Sequence, residues 1–141
     1  LKYYTEAVSL YDSDHVLVFA DRIDLAKDFL CGVNRFNFSY VEGFTPAEQL
    51  YLMSRCSDGN VITNSTFAWW GAFLNQSSIA KIVIPDEWVR PGVPIPISDI
   101  HPTSWVRVRS LHPFFDHFQV YRIAHPINTA KRVLKRCIQS S

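Results

Sequence analysis

The order of helical and extended patterns along the chain predicts an α/β domain, with a Rossmann-like parallel sheet flanked by helices. Residues 16–20 form a continuous apolar run, as in a strand that is buried on both faces, and residues 60–63 and 81–84 are also strand-like. Helical patterns alternate with these runs, and the connections between them are short. Right-handed crossovers would then place all three strands in one parallel sheet.

The first half of the chain carries the local signals for these elements. Residues 2–11 place apolar side chains at helical spacing, a second helix opens at Asp21, and alternation over residues 35–42 predicts a further strand. The next helix has a strong start signal, with Thr45 as N-cap, Pro46 at the first position and Glu48 at the third.

The helix predicted after residues 60–63 is apolar on every side over residues 67–76. A helix of this kind is normally buried, so we expect its tryptophans, Trp69 and Trp70, to be core packing rather than sugar platforms.

Composition limits the classes of function. The chain has 141 residues, enough for one domain over residues 1–141, and a formal net charge of +1 gives no indication of a nucleic-acid partner. The three cysteines fit no metal spacing, and their odd number does not suggest a disulfide framework; we expect Cys31 and Cys56 to be buried thiols. No metal site and no cofactor are expected, and no apolar run is long enough to cross a membrane.

The second half of the chain is less regular. Residues 1–90 would form the α/β core, and residues 91–126, rich in proline and aromatic residues, would wrap it, with a candidate edge strand at residues 105–108. Residues 127–139 predict a final helix capped by Asn128, whose basic face we expect to be solvated.

Polar residues follow the ends of the proposed strands. Asp21, Asn64, Ser65 and Pro85 should therefore converge at the carboxyl edge of the sheet, where ligands bind in such folds. No acidic residue lies between Asp58 and Asp86, so the helix that starts after residues 64–66 is free to bind an outside anion, best a phosphate. The simpler alternatives are that Ser65 is a plain N-cap, and that Asp21 and Asp24 are the N-cap and third-position acid of their helix.

The run over residues 64–74, Asn-Ser-Thr-Phe-Ala-Trp-Trp-Gly-Ala-Phe-Leu, resembles the C-terminal signature of the α1,2-fucosyltransferases, glycosyltransferase family 11. Residues 49–56, 18–21 and 81–85, the last followed by Trp88, resemble the segments that surround this signature in the family. The resemblance covers roughly residues 1–90 in order.

This resemblance implies the nucleotide-sugar-binding, C-terminal half of a GT-B glycosyltransferase. The expected reaction is an inverting, metal-independent transfer of fucose from GDP-fucose to a galactose-containing glycan. Carried over, Ser65, Thr66 and the backbone at Phe67 would hold the β-phosphate, Asn64 would shape the loop, and Asp21 and Gln49 would also contact the donor, Gln49 at the guanine base.

The chain departs from the family pattern at three places. Arg22 replaces the second of two acids after the strand, Gln49 replaces an aspartate, and the basic motif H-x-R-R-x-D is not found, so no catalytic residue is identified. We therefore expect a fragment or truncated member that lacks an N-terminal domain. The alternatives are a non-catalytic nucleotide-sugar-binding or interaction domain and an unrelated flavodoxin-like module. The compartment stays open: cytoplasmic or peripheral membrane for a bacterial protein, Golgi membrane for an animal one.

Overall fold

The computed structural model describes residues 1–88 and 97–110, and the predictions for residues 111–141, including the final helix and Cys137, lie outside this part. Helices and strands alternate along it as the sequence predicts. The elements are α1 (Lys2–Val8), β1 (His15–Phe19), α2 (Ile23–Leu30), β2 (Asn37–Val41), α3 (Pro46–Ser54), β3 (Gly59–Val61), α4 (Thr66–Phe73), β4 (Lys81–Pro85), a single 3-10 turn (Ile97–Asp99) and β5 (Val106–Val108).

The starts of α3 and α2 show one confirmed prediction and one error. At α3, the hydroxyl of Thr45 accepts the N–H of Glu48, and the Glu48 carboxylate accepts the N–H of Thr45 at 2.7 Å, which completes a capping box. At α2, the N-cap is Arg22 and not Asp21, and the Asp24 carboxylate pairs with Arg22. The capping interpretation of Asp21 is wrong because the backbone stays extended for one more residue, with φ −119° and ψ 91° at Arg22.

All paired strands among residues 1–88 and 97–110 are parallel, but within this part they form two sheets rather than one. β1 pairs with β2, and a second sheet has the order β3-β4-β5, with β5 at its edge as the sequence predicts. The expectation that residues 16–20, 60–63 and 81–84 share one sheet is therefore wrong. The physical reason is a cavity that both β1 and β3 border, so that no hydrogen-bonded ladder joins these two strands.

Helices cover both faces of the β3-β4-β5 sheet. Val83 of β4 clusters with Tyr3 and Ala7 of α1, whereas its neighbours Ile82 and Ile84 belong to a separate cluster that includes residues 72 and 88 and packs against α4. Successive residues of a strand point to opposite faces, so α1 and α4 lie on opposite sides of this sheet.

The β1-β2 sheet has the same arrangement. Val18 and Tyr40 pack with Ala20, Ile23 and Ala26 around α2, while Phe19 and Val41 pack with Phe44 and with Leu52 of α3. Thus α2 and α3 also lie on opposite faces.

The two helical layers are continuous across the gap in the sheet. On one face, the rings of Tyr4 in α1 and Phe29 in α2 meet edge to face, with their centroids 5.9 Å apart. On the other face, α3 and α4 are so close that a Cβ atom on Gly71 would lie 2.8 Å from the Cβ of Met53. The molecule is therefore a three-layer α/β structure whose helical layers are closed and whose central sheet is interrupted.

A buried tyrosine fixes α1 to the β3-β4 pair. The N–H of Ile62 donates to the carbonyl of Val83 at 3.0 Å, and in a parallel ladder the carbonyl of Ile62 would next accept from residue 85. That residue is Pro85, which has no N–H, and the hydroxyl of Tyr3 donates to the Ile62 carbonyl instead, at 2.5 Å. Burial raises the pKa of Tyr3, so the hydroxyl keeps the proton that it donates.

Two burial predictions need correction. The helix at residues 67–76 was expected to be buried on every side, but α4 buries only Gly71 and Ala72 fully, and Trp70 is 51% exposed. α3 covers one side of α4, and Trp69 packs on the other, donating its indole N–H to the carbonyl of Ile100 at 3.0 Å. Cys31 is exposed rather than buried, because it lies beyond the end of α2, whereas partial burial of Cys56 raises its pKa to about 11.

Candidate functional site

A cavity of about 800 Å³ lies between β1 and β3. Its middle is lined by apolar side chains from both helical layers and from the two strands, among them Tyr4, Phe29, Met53, Leu17 and Val61. Its carboxyl end is polar, because the residues that follow β1 and β3 border it there: Asp21, Thr63, Asn64 and Ser65. The cavity thus combines an apolar interior with a polar rim at the edge where α/β folds bind ligands.

The start of α4 lies at this rim. The hydroxyl of Ser65 accepts the N–H of Ala68 at 3.4 Å, a long hydrogen bond, and the carbonyl of Ser65 accepts the first helical bond, from Trp69 at 2.9 Å. The N–H groups of Thr66 and Phe67 are earlier in the turn and have no acceptor within the helix. Capping by Ser65 and an anion site are therefore compatible, since the cap satisfies one amide and leaves two.

The charge of the first turn of α4 bears on whether an anion can bind there. No acidic residue lies in the first turn of α4. The positive end of the helix dipole is consequently not neutralised by a carboxylate of the same turn, unlike that of α3, where Glu48 occupies the third position.

Five of the six residues proposed for donor binding border the cavity, namely Asp21, Gln49, Asn64, Ser65 and Phe67. Thr66 does not line it; its side chain is exposed at the first position of α4. Pro85, which was also expected at this edge, does not border the cavity, because β4 lies beyond β3 in the second sheet. What these residues bind stays a prediction.

Gln49 has a structural role that the sequence pattern did not indicate. Its side chain is 6% exposed, and its amide nitrogen donates to the carbonyl of Phe44 at 3.1 Å, which ties α3 to the turn before it. A guanine base at this position would therefore have to meet the second amide N–H or the amide oxygen.

Arg22 is held by the residue two positions later. Its guanidinium makes a bidentate pair with the Asp24 carboxylate, with Nε 2.9 Å from Oδ1. This pairing lowers the pKa of Asp24 to about 2, and both side chains are well exposed. The positive charge nearest to Asp21 in sequence is thus already balanced by a neighbouring carboxylate.

Within residues 1–88 and 97–110, no cluster of three His, Cys, Asp or Glu side chains has the arrangement of a metal site. None of the helices in this part has the length and apolar character needed to span a bilayer.

Comparison with known proteins identifies the family. The model of glycosyl transferase family 11 matches residues 1–107. Over 93 residues the chain is 31% identical to the O-antigen biosynthesis glycosyltransferase WbnK of Escherichia coli, an alignment that covers 62% of this chain and 30% of that protein. Over 93 residues the chain is 29% identical to the alpha-1,2-colitosyltransferase of Escherichia coli. This alignment covers 64% of this chain and 31% of that protein.

These matches leave most of each relative uncovered, since the chain spans less than a third of either curated protein. No solved structure matches the chain. The family match includes α1 to β4, the cavity and the acid-free start of α4. The chain therefore belongs to glycosyl transferase family 11.

Proposed function

We propose that this chain is the donor-binding part of a galactoside α1,2-fucosyltransferase, which transfers fucose from GDP-fucose to a galactose-containing glycan. The observation that carries the proposal is the acid-free start of α4, inside the region that matches the family, where the N–H groups of Thr66 and Phe67 have no acceptor within the helix and Phe67 borders the cavity. A helix start of this kind favours an anion such as a phosphate group, and the pyrophosphate of GDP-fucose supplies one.

The proposed role of the α4 start follows from the chemistry of glycosyl transfer. As the sugar leaves GDP, negative charge builds up on the β-phosphate oxygen. The N–H groups of Thr66 and Phe67 are already fixed by the helix, so they can stabilise this charge without reorganising. The hydroxyls of Ser65 and Thr66 would add donors, and Asn64 would shape the loop that carries them.

The donor sugar has a second candidate. One relative is named as an α1,2-colitosyltransferase, so colitose is an alternative to fucose at the same site. For a donor with the same nucleotide, the contacts at the α4 start would be the same, and only the fit of the sugar would differ.

The cations of the described part suggest that this chain alone transfers sugar poorly. Arg22 is paired with Asp24. Arg55 borders the cavity, but it follows the end of α3 and precedes β3, so it lies at the amino-terminal end, away from the α4 start. The missing stabiliser and an acceptor-binding half of a GT-B enzyme would come from polypeptide outside residues 1–141. The alternative function is a non-catalytic nucleotide-sugar-binding domain that keeps only the donor site.

Calorimetry tests donor binding. We expect GDP to bind more tightly than NAD or ATP. Replacing Ser65→Ala together with Thr66→Ala should weaken GDP binding by roughly 1–3 kcal/mol, because hydrogen bonds to a charged group are lost. Ser98→Ala with Thr103→Ala, an exposed pair that does not border the cavity, is the matched control. Equal or absent binding of all three nucleotides would remove the site assignment.

A transfer assay separates the enzyme from the binding domain. With GDP-fucose and lactose, we expect residues 1–141 to turn over very slowly, since loss of one preorganised stabiliser typically lowers the rate by about 10²–10³. Rapid turnover would show that another basic group of this chain acts at the pyrophosphate. A longer form that binds GDP but still fails to transfer would favour the non-catalytic alternative.

A further inference from the structure

The apolar middle of the cavity has the shape of a missing strand. Helices α1 and α2 close it on one face and α3 and α4 on the other, while β1 and β3 border its two sides. We call this space the central slot, lined by Val16, Leu17 and Val18 on one side and Gly59, Asn60 and Val61 on the other. Everything that normally surrounds a central strand is present around it.

The strands beside the slot are less buried than their sequences require. β1 contains the continuous apolar run of residues 16–19. Even so, Leu17 is 37% exposed, and none of the five residues of β1 is fully buried. β4, which pairs on both edges, has Val83 and Ile84 at 0% exposure. A run such as that of β1 is typical of a strand with neighbours on both edges and helices on both faces.

The chain path also leaves a position open. After β2, the crossing helix α3 carries the chain back past β1 to β3, which gives the order β2, β1, slot, β3, β4, β5. In the doubly wound order 3-2-1-4-5-6, such a return passes two strands, whereas the described part of this chain has one there, and the position of the second strand corresponds to the slot. Direct pairing of β1 with β3 would give the order 2-1-3-4-5, but the two strands are not paired.

We propose that the central slot binds one extended, apolar strand of about five residues, parallel to β1 and β3, that comes from polypeptide outside residues 1–141. Its N–H and C=O groups would pair with the free edges of both strands, and its side chains would fill both faces, as in strand addition to a sheet. The curated relatives are more than three times as long as the matched region, so such a segment has room in proteins of this family.

A second copy of this chain does not fit the slot. The outer edges of the two sheets belong to β2 and β5, and the sheets carry helices on their faces. Those helices would collide with the helical layers that already cover the slot. The occupant is therefore a segment without helices packed on it at that point. It would fill the apolar middle and leave the polar rim at Asn64 and Ser65 for the donor, so this inference does not depend on the proposed function.

Hydrogen exchange of the full chain, followed by NMR, tests the proposal. The probe is a peptide of alternating valine and isoleucine, about five residues long to match β1, between lysine pairs that keep it soluble. In a parallel strand, alternate amides point to each edge, so half of the β1 amides should be protected by β2 and the other half should exchange freely. Adding the peptide should raise the protection of the free amides in β1 and β3 by about tenfold or more.

Three controls distinguish slot binding from general association. A peptide with proline at its centre lacks one donor and should not protect these amides. Leu17→Asp places a charge in the slot and should weaken peptide binding by about tenfold or more. Ile79→Asp, at a residue that is 78% exposed and outside the cavity, should leave peptide binding within about twofold of the original chain.

Three results would overturn the proposal. The first is that the slot-facing amides of β1 and β3 are already protected in the free chain, which would mean that the sheet closes directly or that residues 111–141 fill the slot. The second is peptide protection only at the outer edges of β2 and β5. The third is binding that the Leu17 and Ile79 variants reduce equally.

Discussion

The β3-β4-β5 sheet and the β1-β2 sheet are built from similar strands but reach different degrees of burial. β4 pairs on both edges, and its interior residues are inaccessible to solvent. Among the residues that the structure describes, β1 pairs on one edge only, and its equally apolar residues remain partly exposed. Both sheets have helices on both faces, so the helices do not explain the difference in burial between β4 and β1. The pairing of the second edge of β4 does. Among the described residues, the strand with two edge partners, β4, is thus more completely buried than β1, which has one.

The two halves also differ in what they contribute to the fold and to the candidate site. The β3-β4-β5 half carries its own anchor, Tyr3, and the α4 start with its unpaired amides. The β1-β2 half contributes Asp21 and the β1 side of the slot. We infer that a further strand in the slot would stabilise the β1-β2 half more than the β3-β4-β5 half, because the latter already contains β4, a strand that is paired on both edges.

The largest expected effect compares one apolar side chain from each half, Ile84 at a buried position and Leu17 at a partly exposed one. Ile84→Ala should lower the free energy of unfolding by about 2–5 kcal/mol, since it opens a cavity at a fully buried position. Leu17→Ala removes a similar volume from a partly exposed position and should cost about 1 kcal/mol or less. Urea unfolding of both variants measures the difference; equal losses would contradict the contrast between the two sheets.

The next effect tests the anchor of α1. Tyr3→Phe removes the hydroxyl that satisfies the Ile62 carbonyl, and Pro85 cannot replace it, so the free energy of unfolding should fall by about 1–3 kcal/mol. Tyr51→Phe, at a residue that is 66% exposed, is the matched control and should have almost no effect in the same urea titration. Similar values for the two variants would show that the Tyr3 hydroxyl is not needed.

The smallest expected effect is a pH dependence in the β3-β4-β5 half. His101 is buried between Trp88 and Trp105, and its Nδ1 accepts the indole N–H of Trp69 at 3.3 Å. Burial is the main cause that lowers the pKa of His101, and the nearby positive charge of Arg107 lowers it further. Because the unfolded chain then takes up a proton more readily than the folded one, stability should fall as the pH drops from about 7.5 to 5.5.

His101→Gln should flatten this dependence when unfolding is measured across the same pH range. His15→Gln, at an exposed residue of the other half, should leave it unchanged. If the two variants keep the same slope as the original chain, then His101 is not the group responsible.

The sequence predicts local structure well where the signal is local. The capping box of α3 depends on Thr45 and Glu48 alone, and the acid-free start of α4 depends on residues 64–68. The parallel pairing of each strand also follows from the alternation of helices and strands.

The predictions that are wrong concern the tertiary neighbours of a helix or strand. The apolar run of β1 indicates that its faces are buried, but hydrophobicity says nothing about which edge is paired, so the interruption of the sheet was missed. For the same reason the exposure of Trp70 was missed, because an apolar helix does not identify what covers it. At the site, the hydrogen bond of Gln49 to Phe44 was not predictable, since it depends on how the turn before α3 folds back.

The proposed function requires a donor phosphate to bind the amides at the start of α4. The most direct test is the backbone amide shifts of Thr66 and Phe67 in a ¹⁵N-labelled chain titrated with GDP, with guanosine as the control that lacks phosphates. We predict large, saturable shifts at these two amides with GDP and none there with guanosine. Shifts that are absent at Thr66 and Phe67, or that are the same with guanosine, would contradict the account.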